Sequence, residues 1–353
     1  MTIYIVDIEP IDTRYTAEWS EHVPTQLKSF TNQEVITISG TAPEVQTTPG
    51  AFLNFSGTNA YKSQQMEKIA QLVSDNKIKS GDYFLFTDAW NPTVIQLKYM
   101  MSLLNIDAKI GGMWHAGSYD RFDFLGRMIG NKPWVRFAEL SMYNCYDHNF
   151  FATDYHIDLF KRRALYGVSN YSSIVKTGWP MEYLPNTLNE YVGKPKKDLI
   201  LFPHRIATEK QPSIFEDLQK SLPEYTLVMC QESKLTKQEY HTLLSEAKVI
   251  FSANLQETLG ISWYEGALVG AIPMLPDRLS YSEMALNEFK YPSKWTDSLG
   301  AYIENKDKVI DLLTDYMENY SSYVPSVNKQ ADVLKDSYFS GKVMYQTIAD
   351  GSK

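Results

Sequence analysis

The fold can be inferred from residues 249–283, VIFSANLQETLGISWYEGALVGAIPMLPDRLSYSE. The apolar run at 249–251 is short enough to be a buried strand of a parallel sheet. Thr258 is a predicted N-cap, and an apolar pattern of helical spacing then extends to the predicted helix end at Gly270. Residues 271–275 predict the next strand. This order of strand, turn, helix and strand places a helix N-terminus at the carboxyl end of the sheet, where a ligand can bind.

Such a helix N-terminus attracts anions, because its first N–H groups lack partners and carry the positive end of the helix dipole. Glu257 precedes the helix, and Glu265 follows eight residues later, slightly more than two helical turns and near the same face. Two carboxylates along one edge of a cleft can accept hydrogen bonds from several hydroxyl groups, which suits a sugar and a ribose. The alternative is that Glu257 only stabilises the helix N-terminus and that Glu265 is a solvated side chain.

This segment resembles the nucleotide-binding segment of glycosyltransferases of the GT-B fold, in particular the large retaining class with two Glu separated by seven residues. The matching residues are Glu257, the helix start Thr258-Leu259-Gly260, Glu265 with Gly266 and Ala267, and residues 270–273. The resemblance implies that Glu265 binds the ribose, that Glu257 binds the donor sugar, and that Thr258, Leu259 and Gly260 belong to the donor site. The family usually has Gly and Phe where this chain has Thr258 and Leu259, so the sugar pocket is expected to differ.

The resemblance also implies a fold and a domain organisation. The chain would be an α/β protein with two Rossmann-like domains facing each other across a cleft, and its C-terminal helix would cross back to the first domain. An acceptor-side domain is expected over residues 1–188 with the helix 330–353, and a donor-binding domain over 189–329. Independently, short apolar runs alternate with helical patterns along the chain, which predicts parallel, doubly wound sheets.

Arg205 and Lys210 follow a predicted strand at 199–203. A planar guanidinium and an ammonium suit a diphosphate, and by the resemblance they would neutralise the leaving nucleoside diphosphate, expected to be UDP. The alternative is a loop with ordinary surface charge. The sequence has no Asp-x-Asp motif, Asp7 and Glu9 being the nearest pattern, and no His/Cys cluster at metal-ligand spacing. We therefore expect a metal-independent enzyme in which these cations and the helix end stabilise the diphosphate.

Polar and aromatic residues also follow the predicted strands of the first half, where ligands bind in such sheets. His115 matches the position at which the family carries a His beside the donor sugar, so the resemblance implies a catalytic role; the alternative is a structural histidine. The predicted acceptor side consists of Arg14, Tyr15, Asp88, Trp90, Tyr119 and Asp120. A long polar loop is predicted from Asp7 to His22, and it contains Arg14, Tyr15 and Trp19. By analogy with the fold, this loop would face the acceptor. A core position for each aromatic residue, and a helix cap for Asp88, are the alternatives.

Length and charge limit the class of protein. The 353 residues suffice for two domains, and the net charge of −8 argues against a generic nucleic-acid coat while leaving room for a local basic groove. Cys145 and Cys230 are expected to be free thiols in a reducing compartment. The N-terminus lacks the features of a signal peptide, and no apolar run is long enough to span a membrane. We expect a cytoplasmic protein, in the host cytoplasm if phage-encoded.

The acceptor is predicted from weaker signals. Lys161, Arg162 and Arg163 form a local basic cluster that could contact a phosphate backbone, although a solvated helix face is the alternative. Segments of the first half, such as FLFTDAW and WHAGSYDRFDFLGR, resemble glycosyltransferases of T4-type phages. Some of that group attach glucose or arabinose to 5-hydroxymethylcytosine in double-stranded DNA, which is the acceptor this resemblance implies. The alternatives are a glycan or lipid-linked saccharide acceptor, a nucleotide-sugar epimerase of the GT-B fold, and a non-catalytic nucleotide-sugar binding module.

Overall fold

The computed structural model describes residues 1–11, 14–41, 54–165, 167–168 and 171–351. The chain divides into two units, the first formed by Met1–Met181 with Ser340–Lys353 and the second by Glu182–Phe339. The second unit thus begins before residue 189. It includes the short helix Leu184–Leu188, whose two leucines are buried and which packs against the helix Ile261–Leu268.

The first unit is a parallel α/β structure. Its elements are β1 (Thr2–Val6), α1 (Tyr15–Thr31), β2 (Glu34–Ile38), α2 (Phe55–Ser74), β3 (Tyr83–Phe86), α3 (Thr93–Leu103), β4 (Lys109–Met113), α4 (Phe124–Ile129), α5 (Pro133–Cys145), β5 (His148–Phe151), α6 (Asp154–Arg163), β6 (Ile174–Lys176) and the C-terminal α14 (Lys342–Asp350). The six strands form one parallel sheet in the order β2, β1, β3, β4, β5, β6. The inner strands β1 and β3 are mainly apolar and almost fully buried, as expected for a sheet covered on both faces.

Helix α1 begins earlier than the sequence analysis allowed. The prediction of a long loop containing Tyr15 is wrong, because α1 starts at Tyr15. Its buried face consists of Thr16, Trp19, Val23 and Leu27, a stripe of helical spacing among mainly polar neighbours. Arg14 is the extended residue directly before the helix.

The C-terminal helix returns to the first unit, as predicted. Helix α14 begins at Lys342, and its Tyr345 ring lies 5.8 Å from the Phe30 ring of α1. The Met344 N–H donates a hydrogen bond of 3.1 Å to the Thr177 hydroxyl. The preceding helix ends at Ser337 and belongs to the second unit, so the crossing starts later than the predicted residue 330.

The second unit is also a parallel α/β structure. Its elements are α7 (Leu184–Leu188), β7 (Lys197–Phe202), α8 (Pro212–Ser221), β8 (Thr226–Met229), α9 (Lys237–Glu246), β9 (Ala247–Phe251), α10 (Ile261–Leu268), β10 (Ile272–Pro276), α11 (Tyr281–Met284), β11 (Lys290–Tyr291), α12 (Leu299–Glu318) and α13 (Tyr320–Ser337). The strands form one parallel sheet in the order β11, β10, β9, β7, β8.

Residues 249–283 fold as strand, turn, helix and strand, as predicted. The N-cap prediction is wrong in its residue: Gly260, not Thr258, precedes α10, and Gly260 has a left-handed φ of 78°. A Cβ atom at Gly260 would lie 2.4 Å from Trp263 Cδ1, so both the backbone and the space require glycine. A Cβ atom at Gly266 would lie 1.8 Å from Ile250 Cδ1, which explains how closely α10 packs on β9.

Both cysteines are free thiols, as expected, and Cys230 is buried. Among the residues that the structure describes, no helix combines the length and the apolar character needed to cross a membrane.

Candidate functional site

The second unit brings together two predicted donor-site residues that are far apart in the sequence. Lys210 follows β7, and Glu257 follows the neighbouring strand β9, so both lie at the carboxyl edge of the sheet. The Lys210 ammonium donates to Glu257 Oε2 at 3.1 Å and also to the Gln256 carbonyl. The Lys210 side chain is only 6% exposed and that of Glu257 17%. The pair is therefore a largely buried salt bridge at the end of the sheet.

The Glu257 carboxylate has three donors. Besides Lys210, Thr258 N–H donates to its Oε1 at 3.0 Å and Asn254 Nδ2 donates to its Oε2 at 3.2 Å. Burial by itself would raise the pKa of Glu257, but the charge and hydrogen bond of Lys210, together with the Thr258 N–H, outweigh it and hold the pKa below its ordinary value. Glu257 is consequently ionised at neutral pH and fixed in one orientation.

Three buried residues, His204, Asn254 and Tyr281, were not identified as site residues from the sequence. The Asn254 amide also donates to the Tyr281 hydroxyl at 3.0 Å and lies 3.4 Å from His204 Nδ1. Burial, with a smaller effect of Lys210, lowers the pKa of His204 to about 3, so this imidazole is neutral. The signal that could have found Asn254 was a polar residue directly after a buried strand, SAN at 252–254. These neutral residues form a buried hydrogen-bonded group that contacts Glu257 through Asn254.

Arg205 lies near the same edge of the sheet but forms a salt bridge with a different carboxylate, that of Glu209. Its Nη2 donates to Glu209 Oε1 at 3.0 Å; the Arg205 side chain is 35% exposed and that of Glu209 3%. Glu209 was not identified from the sequence, because residues 205–207 are not helical and no spacing rule marked the pairing. The guanidinium is thus oriented by a buried acid while part of it remains open to solvent.

The turn before α10 is tightly fixed. The Trp263 indole N–H donates to the Leu259 carbonyl at 2.7 Å, and the Ser280 hydroxyl donates to the Thr258 carbonyl. Leu259 is fully buried, so it supports the turn from within the protein. Because both carbonyls accept hydrogen bonds from side chains of the same unit, the N-terminus of α10 keeps a fixed direction.

Glu265 lies in the second half of α10, and its side chain is also held in place. The Tyr240 hydroxyl donates to Glu265 Oε2 at 3.1 Å, and His241 Nε2 lies 3.9 Å from its Oε1. The side chain is 12% exposed. Glu265 thus presents an oriented carboxylate at a partly open position.

In the first unit, His115 follows β4 and uses both ring nitrogens. Its Nε2 lies 2.7 Å from the Thr87 carbonyl, which can only accept, so Nε2 carries the proton. Its Nδ1 then accepts from the Tyr15 hydroxyl at 3.2 Å. Burial lowers the pKa of His115 despite the opposing effect of Asp88, so the imidazole is neutral at physiological pH. The Tyr119 hydroxyl donates to the His115 carbonyl, which fixes the backbone at this strand end as well.

The other predicted acceptor residues fall into separate groups. Asp88 forms a 2.8 Å salt bridge with Lys62 and accepts the Trp90 N–H at 3.2 Å. Asp120 is buried and accepts the Phe122 N–H at 3.0 Å, as a turn residue does. The Arg14 guanidinium lies 5.7 Å from the Tyr15 ring. The structure therefore connects Tyr15, Tyr119 and His115 directly but places Asp120 in a turn.

Several polar residues near these strand ends were not predicted as site residues. Trp90 Nε1 donates to Glu139 Oε1 at 3.0 Å, and the Ser118 hydroxyl donates to the same oxygen. After β1, Asp7 accepts from Tyr61 and Gln65, and burial raises its pKa. Glu9 accepts from Thr58 at 2.8 Å, and burial raises its pKa too. Glu139 lies on α5, and no motif marked it.

The predicted basic cluster forms the last turn of α6. Lys161 lies 4.7 Å from the centre of the Tyr171 ring, and Arg162 Nε donates to the Asp158 carbonyl at 3.2 Å. Arg163 points instead to a cavity that three further arginines line. Within the described ranges, no group of three or more His, Cys, Asp and Glu side chains is arranged to hold a metal ion.

The fold is shared with several solved structures. No protein-family model matches the sequence, and no curated protein matches it. The catalytic domain of starch synthase IV from Arabidopsis thaliana, bound to ADP and acarbose, aligns with a TM-score of 0.65 at 10% identity over 99% of both chains. Sucrose-phosphate synthase from Thermosynechococcus elongatus aligns with a TM-score of 0.62 at 10% identity over 99% of this chain and 98% of that one.

A chain of the GtfA/B complex aligns with a TM-score of 0.52 at 14% identity over 82% of this chain. The match spans only 61% of that longer chain. At such identities the likeness concerns the fold alone. The chain has the GT-B fold, as the sequence predicted.

Proposed function

We propose that this chain is a glycosyltransferase that moves a pentose or hexose from a nucleoside-diphosphate sugar to an acceptor hydroxyl. The observation that carries the proposal is the oriented, buried Lys210–Glu257 pair beside the N-terminus of α10 in a GT-B fold. A buried ammonium close to a helix N-terminus suits a diphosphate, and a fixed carboxylate next to it suits sugar hydroxyls.

The donor residues would act as follows. When the bond between the sugar C1 and the diphosphate oxygen breaks, negative charge develops on that oxygen. Lys210, Arg205 and the α10 N-terminus would stabilise this charge. Glu265 would accept the ribose hydroxyls and Glu257 the hydroxyls of the transferred sugar. We further propose UDP as the nucleotide, retention of configuration at C1, and no requirement for a metal ion.

The proposed acceptor is 5-hydroxymethylcytosine in DNA. It is supported by the resemblance of the first half to phage glycosyltransferases and by the aromatic residues at the strand ends of the first unit. The rings of Tyr15, Trp19 and Trp179 surround His115, with centroid distances of 4.8 to 6.4 Å. Trp19 and Trp179 are buried and hold His115 in place, whereas Tyr15 is partly exposed, so stacking on Tyr15 is the contact that suits a base taken out of the helix. His115 keeps its proposed role beside the transferred sugar.

The test is a donor screen with a duplex containing 5-hydroxymethylcytosine, analysed by mass spectrometry of the digested nucleosides. The matched control is the same duplex with cytosine. A mass increase of one pentose or hexose, confined to the modified duplex and to one nucleotide sugar, is the expected result. If no nucleotide sugar binds or reacts under any condition, the proposed donor site is wrong.

A glycan acceptor is the second candidate. It is favoured by the similarity in fold to a starch synthase solved with ADP and acarbose. Hydrolysis of one nucleotide sugar without transfer to DNA, followed by transfer to a saccharide, would select this candidate. A changed sugar in the absence of any acceptor would instead indicate an epimerase, and tight donor binding without turnover a binding module.

A further inference from the structure

The first unit has a cavity of about 140 Å³ lined by four arginines from different parts of the chain. Arg121 precedes α4, Arg127 lies in α4, Arg136 in α5 and Arg163 at the end of α6. Only Arg163 belongs to the basic cluster predicted from the sequence. The fold therefore gathers cationic side chains that are up to 42 positions apart, from 121 to 163, around one opening.

These arginines are exposed and mostly not neutralised. All four are solvent-exposed. Within the part of the chain that the structure describes, Arg121, Arg136 and Arg163 form no ion pair with a carboxylate. Arg127 is engaged within the protein, since it donates to the Phe122 carbonyl at 2.9 Å and has a further interaction. Three arginines without acidic partners around a cavity are typical of a site for an anion with several oxygens.

The local charge is opposite to that of the whole protein. Residues 121–136 contain three arginines and one lysine against one acid, Asp123, in a chain with a net charge of −8. One carboxylate, that of Glu139, does line the cavity. It accepts from Ser118 and Trp90, and burial raises its pKa, so it offsets at most one of the positive charges of Arg121, Arg136 and Arg163.

The cavity also adjoins the predicted acceptor side. Tyr119 and Ser118 line it, and both lie in the loop that follows β4 and His115. Trp90, in the loop that follows β3, is hydrogen-bonded to Glu139. A ligand seated among the arginines would thus lie next to the strand ends at which an acceptor is expected to bind.

We propose that this cavity holds a backbone phosphate of the acceptor nucleic acid, so that the four arginines position the duplex for sugar transfer. The inference rests on the proposed function and adds the surface that binds the acceptor. Its volume of about 140 Å³ suits a single phosphate group rather than a nucleotide. Phosphate contacts of this kind fix the register of a duplex and carry no sequence preference.

The experiment measures fluorescence anisotropy of a labelled duplex over about 50 to 200 mM salt. It uses the full chain, with unmodified and 5-hydroxymethylcytosine duplexes. The test variant is Arg136→Gln/Arg163→Gln. Lys329→Gln, which removes a charge from the exposed face of α13 in the other unit, is the control for lost charge.

The double variant is expected to bind both duplexes about tenfold more weakly or worse, because charge-assisted hydrogen bonds are lost. Its plot of log K against log salt should be shallower by about 0.9 for each phosphate contact removed. Arg163→Gln alone should weaken binding more than Arg162→Gln, since only Arg163 lines the cavity. The affinity for UDP should not change, because the donor residues lie in the second unit.

Other outcomes would overturn the inference. Equal DNA affinity in the double variant and in Lys329→Gln would show that the cavity takes no backbone phosphate. Binding to vesicles containing anionic phospholipid, with no binding to DNA, would assign the arginines and the exposed Trp134 and Phe137 nearby to a lipid surface. Binding to unmodified duplex needs no sugar transfer, so the cavity is tested even if hydroxymethylcytosine is not the acceptor. If the double variant transfers sugar at the normal rate with an unchanged KM for DNA, the cavity does not bind the acceptor backbone. The proposed function would then remain intact.

Discussion

Lys210→Met tests the arrangement on which the donor site depends. The substitution keeps most of the buried aliphatic side chain and removes only the ammonium group. Glu257 would then lose its cation while it stays largely buried, with 17% of its side chain exposed. Two neutral donors, Asn254 Nδ2 and the Thr258 N–H, would still bind the carboxylate.

The cost of leaving one charge of a buried pair uncompensated is about 3–5 kcal/mol. Since Glu257 keeps two hydrogen bonds and some contact with water, we expect the lower end, about 3 kcal/mol in the free energy of unfolding. The double variant Lys210→Met/Glu257→Gln removes both charges. It should be more stable than Lys210→Met by about 1–2 kcal/mol, because no unpaired carboxylate remains buried.

The effect should depend on pH. In the wild type the pKa of Glu257 is depressed, so this residue stabilises the fold above its unfolded pKa, and the contribution is lost as pH falls through the folded pKa. Without Lys210, burial dominates and the folded pKa rises above the unfolded value. The Lys210→Met variant then loses stability as the pH rises above the pKa of Glu257 in the unfolded chain. Its destabilisation relative to the wild type should be largest near pH 7 and smallest near pH 4.

Urea denaturation followed by circular dichroism at these two pH values measures the difference, with Lys329→Gln as a control for the loss of one surface lysine. Comparison with Glu257→Gln completes a double-mutant cycle. An equal loss of stability at both pH values would refute the reasoning, because an unpaired carboxylate must titrate. So would a double variant that is less stable than Lys210→Met.

Glu265→Ala is expected to weaken UDP binding about tenfold or more in calorimetry, through the loss of a charged hydrogen bond to the ribose. Tyr240→Phe, which keeps the carboxylate and removes its 3.1 Å donor, is the matched control and should have a smaller effect. Arg205→Ala should lower kcat more than donor affinity, because its contact strengthens as the diphosphate leaves; unchanged turnover would exclude this role. Sugar transfer should persist at full rate in excess EDTA, and a loss that Mg²⁺ or Mn²⁺ restores would contradict metal independence.

The parts of the fold that sequence reasoning predicted well are those with strong local signals. The segment 249–283 combines a run of apolar residues, a left-handed Gly260 and a close-packed Gly266, and each restricts the local structure. Parallel topology then places Lys210 and Glu257 at one edge, because β7 and β9 are neighbours in the sheet. Helix α1 was missed because its buried face is a narrow stripe among polar residues.

The parts that sequence reasoning could not supply depend on contacts distant in sequence. Asn254 and Tyr281 are 27 positions apart, and Trp90 and Glu139 are 49 apart. Neither pair belongs to a motif, and no local spacing in the sequence indicates that its two members will meet. The arginine cavity is the clearest case, since three of its four arginines lie outside the cluster that local charge density had indicated.

The Lys210–Glu257 pair also bears on two states of the donor site. Before the nucleotide sugar binds, the site must hold a buried cation; afterwards, the same cation must bind a diphosphate. A buried ammonium needs a counter-charge, and Glu257 supplies it at 3.1 Å. A donor diphosphate would bring its own negative charge close to Lys210, so the carboxylate would become free to accept hydroxyls of the sugar. On this hypothesis Glu257→Gln should weaken the binding of the UDP-sugar more than the binding of UDP alone. The reason is that Lys210 needs the counter-charge of Glu257 only when no diphosphate is bound. If Glu257→Gln binds UDP and the UDP-sugar with equal losses, the carboxylate serves only to neutralise Lys210.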